Sequence, residues 1–255
     1  MIKLVILFLI VFLHNKYAIG RNVGETEITT EDGIEVFQEE KYYLLKKNVE
    51  ILSDELVLYG QIVKIYFEED LYDIKELIAN NNVSFLSEEY KIQGKGDYVK
   101  FNIKNQKIYI SGVSSQLNLE NTEMLSDGKI NVDNLNGLFF IEGDNSKLIN
   151  EDIFIEGSKI NGDFEIINDK RDIANLIVED NKKLNIKTDD IVMYSKKAIY
   201  NKKTSIIELF KEVKIIRGNE IITGDYGTFD TNKKSYKVSS KNSNKVKVII
   251  VDSDE

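Results

Sequence analysis

The sequence contains no cysteine, no proline and no tryptophan, and its one histidine is His14. Without cysteine there is no disulfide, so the fold must rest on packing and hydrogen bonds. His14 lies in a segment read below as an export signal. Once that segment is removed, neither imidazole nor thiol remains. Ser-His-Asp and Cys-His nucleophile systems are thereby excluded, as are zinc sites built from those ligands. Carboxylate, lysine or tyrosine chemistry would be left, and the expectation is a protein that is not an enzyme and has no catalytic residue, metal or cofactor. Positive charge is also short, with 34 Lys and Arg against 43 Asp and Glu and a net charge of −9. No basic cluster offsets that balance, so no nucleic-acid partner is expected. What is present is 255 residues, 42% of them apolar, enough for a sizeable globular core and too apolar for general disorder.

Long apolar runs are absent too, with one exception. Leu4 to Leu13 is an unbroken run of ten apolar residues behind Lys3. His14, Asn15 and Lys16 end it, and Ala18-Ile19-Gly20 then offers small residues for cleavage before Arg21. Charge, short apolar core and small-x-small is the order of a secretory signal. A membrane-spanning helix needs about 20 apolar residues, so residues 1–20 are read as a cleaved signal peptide. Retention as an anchor is the alternative.

From about Gly33 onward the chain reads as short alternating runs, such as Val99-Lys100-Phe101-Asn102-Ile103 and Lys245-Val246-Lys247-Val248. A period of two puts one set of side chains on one face of a strand. Asn105-Gln106, Asp127-Gly128, Asn136-Gly137, Asn161-Gly162 and Asn232-Lys233 read as turns between strands. Leu71, Ile74, Leu77 and Ile78 have helix-like spacing but no C-cap glycine, and are kept as strand. The lack of proline suits long paired strands; it also suits a composition rich in Ile, Lys and Asn throughout.

The strands repeat. Asn48-Val49-Glu50-Ile51-Leu52-Ser53-Asp54-Glu55 aligns without a gap on Asn82-Val83-Ser84-Phe85-Leu86-Ser87-Glu88-Glu89, and a third copy begins at Val213-Lys214-Ile215-Ile216. Gly96-Asp97-Tyr98-Val99-Lys100-Phe101 returns as Gly224-Asp225-Tyr226-Gly227-Thr228-Phe229. A second unit, Ile110-Ser111-Gly112 with Ser115 and Leu117, returns as Ile141-Glu142-Gly143 with Ser146 and Leu148. Each unit is too small to hide its apolar face alone, so the copies must stack.

The stretch from Glu212 to Asp230, EVKIIRGNEIITGDYGTFD, resembles the repeat of the OstA-like, or LptA, family of periplasmic lipopolysaccharide-transport proteins. Ser235-Tyr236-Lys237-Val238 follows it, as a basic strand follows the family hairpin. The earlier units at Asn48 and Asn82 fit more loosely, and the stretch from Asn118 to Lys170 departs from the pattern. The resemblance implies an all-β protein, an elongated antiparallel β-jellyroll shaped as a V-shaped trough of repeated hairpins. It also implies a periplasmic location and a role in outer-membrane assembly, carrying lipopolysaccharide from the inner to the outer membrane. Lipid A acyl chains would lie in the apolar trough, and edge strands would pair with other lipopolysaccharide-transport proteins or head-to-tail with further copies. The expected organisation is a signal over 1–20, a lead-in over 21–32, repeat blocks over 33–150 and 151–250, and an acidic tail over 251–255.

Alternation places Val49, Ile51, Ile65, Val83, Phe85, Ile92, Phe101, Val213, Ile215, Ile222 and Phe229 on apolar faces, together with Val63, Phe67, Val99 and Ile103. The first eleven are the candidate lipid-binding residues. An ordinary core would use the same residue types. Lysine pairs at 196–197, 202–203 and 233–234 stand beside expected turns, where ammonium groups could meet phosphate. Acidic runs at 68–70, 151–152, 189–190 and 252–255 lack calcium-loop spacing and read as solvated turns. Gly112, Gly143, Gly157, Gly218 and Gly224 are expected at bulges or turns with positive φ. Rival readings are a membrane-anchored member of the same pathway, a structural or adhesive β-repeat protein without lipid, and a carbohydrate-active enzyme, the last disfavoured by the lack of tryptophan.

Overall fold

The computed structural model describes residues 22–69, 73–151, 153–167, 170–240 and 245–251. The signal segment, Leu71 and the tail 252–255 lie outside the described residues. Among the described residues all regular structure is strand. Two short strands, β1 (Glu27–Thr29) and β2 (Ile34–Phe37), lead into four long ones: β3 (Tyr42–Leu52), β4 (Val57–Phe67), β5 (Ile74–Ser87) and β6 (Ile92–Asn102). Shorter strands follow: β7 (Lys107–Ser111), β8 (Ser115–Leu119), β9 (Thr122–Ser126) and β10 (Lys129–Asp133). The second half is β11 (Leu138–Asn150), β12 (Ile153–Ile167), β13 (Lys170–Lys187), β14 (Ile191–Asn201), β15 (Ile206–Arg217) and β16 (Glu220–Asp230). Strands β17 (Ser235–Ser239) and β18 (Lys247–Ile250) end it.

Long strands break register near the middle: between Lys46 and Val49 in β3, Asn80 and Val83 in β5, Phe210 and Val213 in β15; the β4–β5 and β12–β13 pairs shift a second time, after Tyr66 and Asp163. The mid-strand breaks line up from strand to strand, so each long strand contributes one half to each of two layers. In the first layer an inner row passes Leu45, Val63, Ala79, Val99, Ile110, Ile130, Ile141, Ile160, Val178, Ala198 and Leu209 in unbroken cross-strand register. In the second, the row runs Ile51, Leu58, Phe85, Gly94, Leu117, Met124, Leu148, Ile155, Ile186, Met193 and Ile215. Both rows point inward and join one apolar core that extends from Leu45 to Phe229. This is the expected all-β, antiparallel jellyroll. Removing a Leu- or Ile-sized side chain from water contributes about 1.5–3 kcal/mol each, so the facing rows hold the layers together.

The strand crossings form a spine along one side. On β3, β5 and β15 the chain turns through pairs of left-handed residues: Lys47 and Asn48 (φ 66° and 49°), Asn81 and Asn82 (64° and 52°), Lys211 and Glu212 (64° and 52°). Asparagine tolerates this conformation better than most side chains, which explains why the repeat opens on Asn48 and Asn82. Opposite each corner stands a glycine: Val49 pairs with Gly60, Val83 with Gly96, and Val213 with Gly224. Gly112 and Gly218 have the expected positive φ. Gly143, Gly157 and Gly224 do not; they are small because of crowding. A Cβ on Gly157 would sit 2.7 Å from Val178 Cγ1, and one on Gly143 2.8 Å from the Gly128 nitrogen. Four buried serines serve the interrupted ladder. Ser115 and Ser146 donate to the carbonyls of Gly112 and Gly143 (3.0 and 3.1 Å), Ser126 to Glu142 O (2.8 Å) and Ser195 to Lys197 O (2.9 Å). The second sequence repeat is thus one crossing used twice.

Three of the expected turns, at 105–106, 136–137 and 232–233, are turns. Asn161-Gly162 is not: it lies inside β12, where Gly162 faces Phe139 and that ring occupies the space a side chain would need. Asp127-Gly128 is a crossing rather than a hairpin, passing the chain from β9 in the second layer to β10 in the first. Beyond Ile74 the helix-like stretch is strand, as expected. The outer face of the first layer carries cross-strand neighbours of alternating charge, Lys129, Glu142, Lys159, Glu179 and Lys197. Lys129 and Lys159 lie 2.7 and 3.2 Å from Glu142 and hold its carboxyl below the usual range.

Candidate functional site

The interior between the layers is the candidate site. Val49, Ile51, Ile65, Val83, Phe85, Ile92, Val213, Ile215 and Phe229 are buried there; Phe101 and Ile222 are partly exposed. Strand alternation delivers each of them, since all follow or precede a crossing at even spacing. Ile103 breaks the pattern: it sits in the turn after β6 and is 50% exposed, because alternation ends where the strand does.

Opposite the spine, two rows of hairpin turns face each other and form a mouth. Two cavities lie along it. The larger, about 140 Å³, has walls from Leu56, Phe85 and Ile92 of the second layer and Phe101, Gln106 and Ile108 of the first. The smaller, about 50 Å³, lies between Asn150, Ile153 and Ile186 on one side and Ile173, Tyr200 and Ile207 on the other. Of the eleven candidates, Phe85, Ile92 and Phe101 line the larger cavity. The rims expose apolar side chains: Tyr90 on the second layer, and Ile103, Leu135, Leu138 and Ile166 on the first, with exposures of 42 to 74%. Exposed apolar side chains in a row mark a contact surface.

Between the cavities the rims are tied together. The Arg171 backbone N–H donates to Glu120 Oε2 (2.9 Å), its Nη1 donates to the Tyr90 carbonyl (3.4 Å), and its Nη2 to Asn134 Oδ1 (2.8 Å). The Glu120 N–H in turn donates to Lys91 O (3.2 Å), and Asn134 donates through Nδ2 to Gln106 Oε1 (2.9 Å). Arg171, Asn134 and Gln106 stand on the first layer's rim; Tyr90, Lys91 and Glu120 stand on the second's. Further along, the Tyr236 hydroxyl donates to Glu220 Oε2 (2.6 Å) and Lys234 approaches Asp189 (3.6 Å). None of these ties was read from the sequence. One signal was available: the chain has only three arginines, Arg21, Arg171 and Arg217, among its basic residues.

Five of the six paired lysines, all but Lys203, are engaged with the protein itself. Lys202 contacts Glu165 and Asp172 (2.9 and 2.7 Å) at the rim. Lys196 and Lys197 lie at the β14 crossing rather than beside a hairpin turn; Lys197 pairs with Glu179 (2.7 Å) and Lys196 donates to Asn181 O (2.9 Å). Among the described residues the layers finish at each end in strands paired on one side only, β1 and β2 at one end and β17 and β18 at the other. Ile34, Val36, Val248 and Ile250 on these edges are 46 to 74% exposed.

The fold and its interior define an all-β, two-layered protein with a continuous apolar interior, a side mouth and open sheet edges. Residues 162–253 match the model of the OstA-like protein family, so the segment from the end of β12 onward is OstA-like. No curated protein matches the chain. Among solved structures, LptH from Pseudomonas aeruginosa, described as the LptA-homologous periplasmic component of its lipopolysaccharide transport device, is 12% identical. That likeness covers 51% of this chain and 95% of LptH at a TM-score of 0.43. Kluyvelomyces marxianus Hsv2 is 9% identical over 80% of this chain and 94% of its own, at a TM-score of 0.15. At these scores the two likenesses fix neither topology nor function.

Proposed function

We propose that the protein is an exported lipopolysaccharide carrier. It holds lipid A acyl chains between its two layers and passes them along a periplasmic bridge towards the outer membrane. The observation that carries this reading is the single apolar interior running from Leu45 to Phe229 beneath a mouth rimmed with exposed apolar side chains; the OstA-like match over residues 162–253 supports it. Burying acyl chain contributes about 0.8 kcal/mol per methylene, so affinity comes from the tails, while sugars and phosphates stay outside. The exposed edges at β1, β2, β17 and β18 are templates for strand addition, and neighbouring transport proteins or further copies would dock there. No step needs a catalytic group.

The close packing of the interior, whose two cavities along the mouth measure about 50 and 140 Å³, favours a second reading, a structural β-repeat protein with a dry core. Titration of the purified protein with lipopolysaccharide, and with the same material stripped of its acyl chains, separates the two. A carrier binds the first and ignores the second. Equal binding of both, or binding of neither, contradicts the carrier reading.

A further inference from the structure

Arg171 stands at the rim beside both cavities. Tyr90 and Asn134, which accept hydrogen bonds from Arg171, line the larger cavity; Asp172, the next residue in the chain, lines the smaller. Arg171 and Glu120 are themselves largely covered, with side chains 18% and 14% exposed. A void of about 150 Å³ takes up a molecule of benzene size, so a cavity of 140 Å³ holds only a fraction of a lipid tail.

We propose that Arg171 is a clasp on the mouth: braced by Asn134 on its own rim, it holds the opposite rim through Glu120 and Tyr90, and its release widens the mouth so that an acyl chain can enter. This rests on the reading of the interior as an acyl-chain site, but the closing role of Arg171 can be measured without any lipid. The contacts are directional and charge-assisted, so they fix the rim spacing more sharply than apolar packing does. They are also few, so the closed mouth can part without disturbing the spine. Residues 90, 120 and 134 come from three different turns: the arginine fork gathers the first and the last, and the Arg171 backbone N–H takes the Glu120 carboxylate.

The native chain has no cysteine, so spin labels at Lys104→Cys and Glu89→Cys, on opposite rims, report the mouth width in the full chain. A second readout is the entry rate of dansyl-labelled undecanoic acid. Arg171→Ala keeps the backbone bond to Glu120 but removes the guanidinium's contacts with Tyr90 and Glu120; it is expected to broaden the label distance towards larger values and to speed entry about tenfold, the scale of losing one charge-assisted bond. Glu120→Gln, which keeps the shape, should shift both in the same direction by less. Lys91→Ala, which removes only an exposed 3.6 Å bridge to Glu120, should shift neither. Unchanged label distances in folded Arg171→Ala would overturn the clasp. Labels that separate in Arg171→Ala while no variant takes up probe or lipopolysaccharide would sustain the clasp and reject the carrier reading instead.

Discussion

The spine and the mouth are built from the same strands and differ in every physical respect. At the spine, glycines bring backbone against backbone, left-handed corners hold the register break, and buried serines satisfy the carbonyls beside it. At the mouth there are cavities, exposed apolar rims and a handful of side-chain ties. Close packing tolerates no extra atom, whereas a gap bridged by side chains can open. The difference puts the opening proposed above at the mouth and leaves the spine as its fixed side.

The contrast breaks most visibly at the spine. A Cβ on Gly128 would run into the Glu142 carbonyl and lie 3.1 Å from Gly143 Cα. Neither neighbour is a flexible side chain. Gly128→Ala should therefore cost about 3 kcal/mol or prevent folding, read as a lowered urea midpoint. Next comes Ile110→Ala, in the fully buried row beside a crossing, with a loss of about 2–5 kcal/mol. Phe101→Ala, at the wall of an existing cavity, should cost less than Ile110→Ala despite removing more atoms, because its environment is already loosely filled. An equal or larger loss at Phe101 would show that the mouth is packed as tightly as the spine. Ser146→Ala, which strips the hydroxyl from the Gly143 carbonyl, should cost about 1–2 kcal/mol.

The smallest effect belongs to the outer face and to pH. Tyr226 donates to Glu208 Oε2 at 2.6 Å, and this bond, helped by burial, raises its pKa from 10.0 to about 12. A hydroxyl whose folded pKa lies above the unfolded one stabilises the fold fully below the unfolded value. That contribution fades as pH rises from 10.0 towards about 12. Unfolding curves across that window should show a loss in the wild type that is smaller in Tyr226→Phe. Identical slopes would mean that the Tyr226–Glu208 bond adds nothing.

Much of this contrast was readable in advance. Alternation located the inner residues, and the repeats at Asn48, Asn82 and Val213 marked the corners. Gly112 with Ser115 and Gly143 with Ser146 marked one crossing twice. What alternation could not show is that each strand serves two layers, because a register break adds only one to three residues and alternation resumes on both sides. Gly162 was misread as a turn because the Phe139 ring that fills its place is on another strand. The clasp was invisible for the same reason on a larger scale: Arg171 meets Glu120 and Tyr90 across 51 and 81 residues of chain. No local pattern records such a meeting.

The central claim is that lipid enters at the mouth and stops short of the spine. Photo-crosslinking residues placed singly at Phe101, at its outward neighbour Lys100 and at Ile110 test it directly in cells making lipopolysaccharide. The account predicts lipopolysaccharide trapped at Phe101 and at neither of the other two. Trapping at Lys100 alone, or at no position in a folded protein, would contradict it.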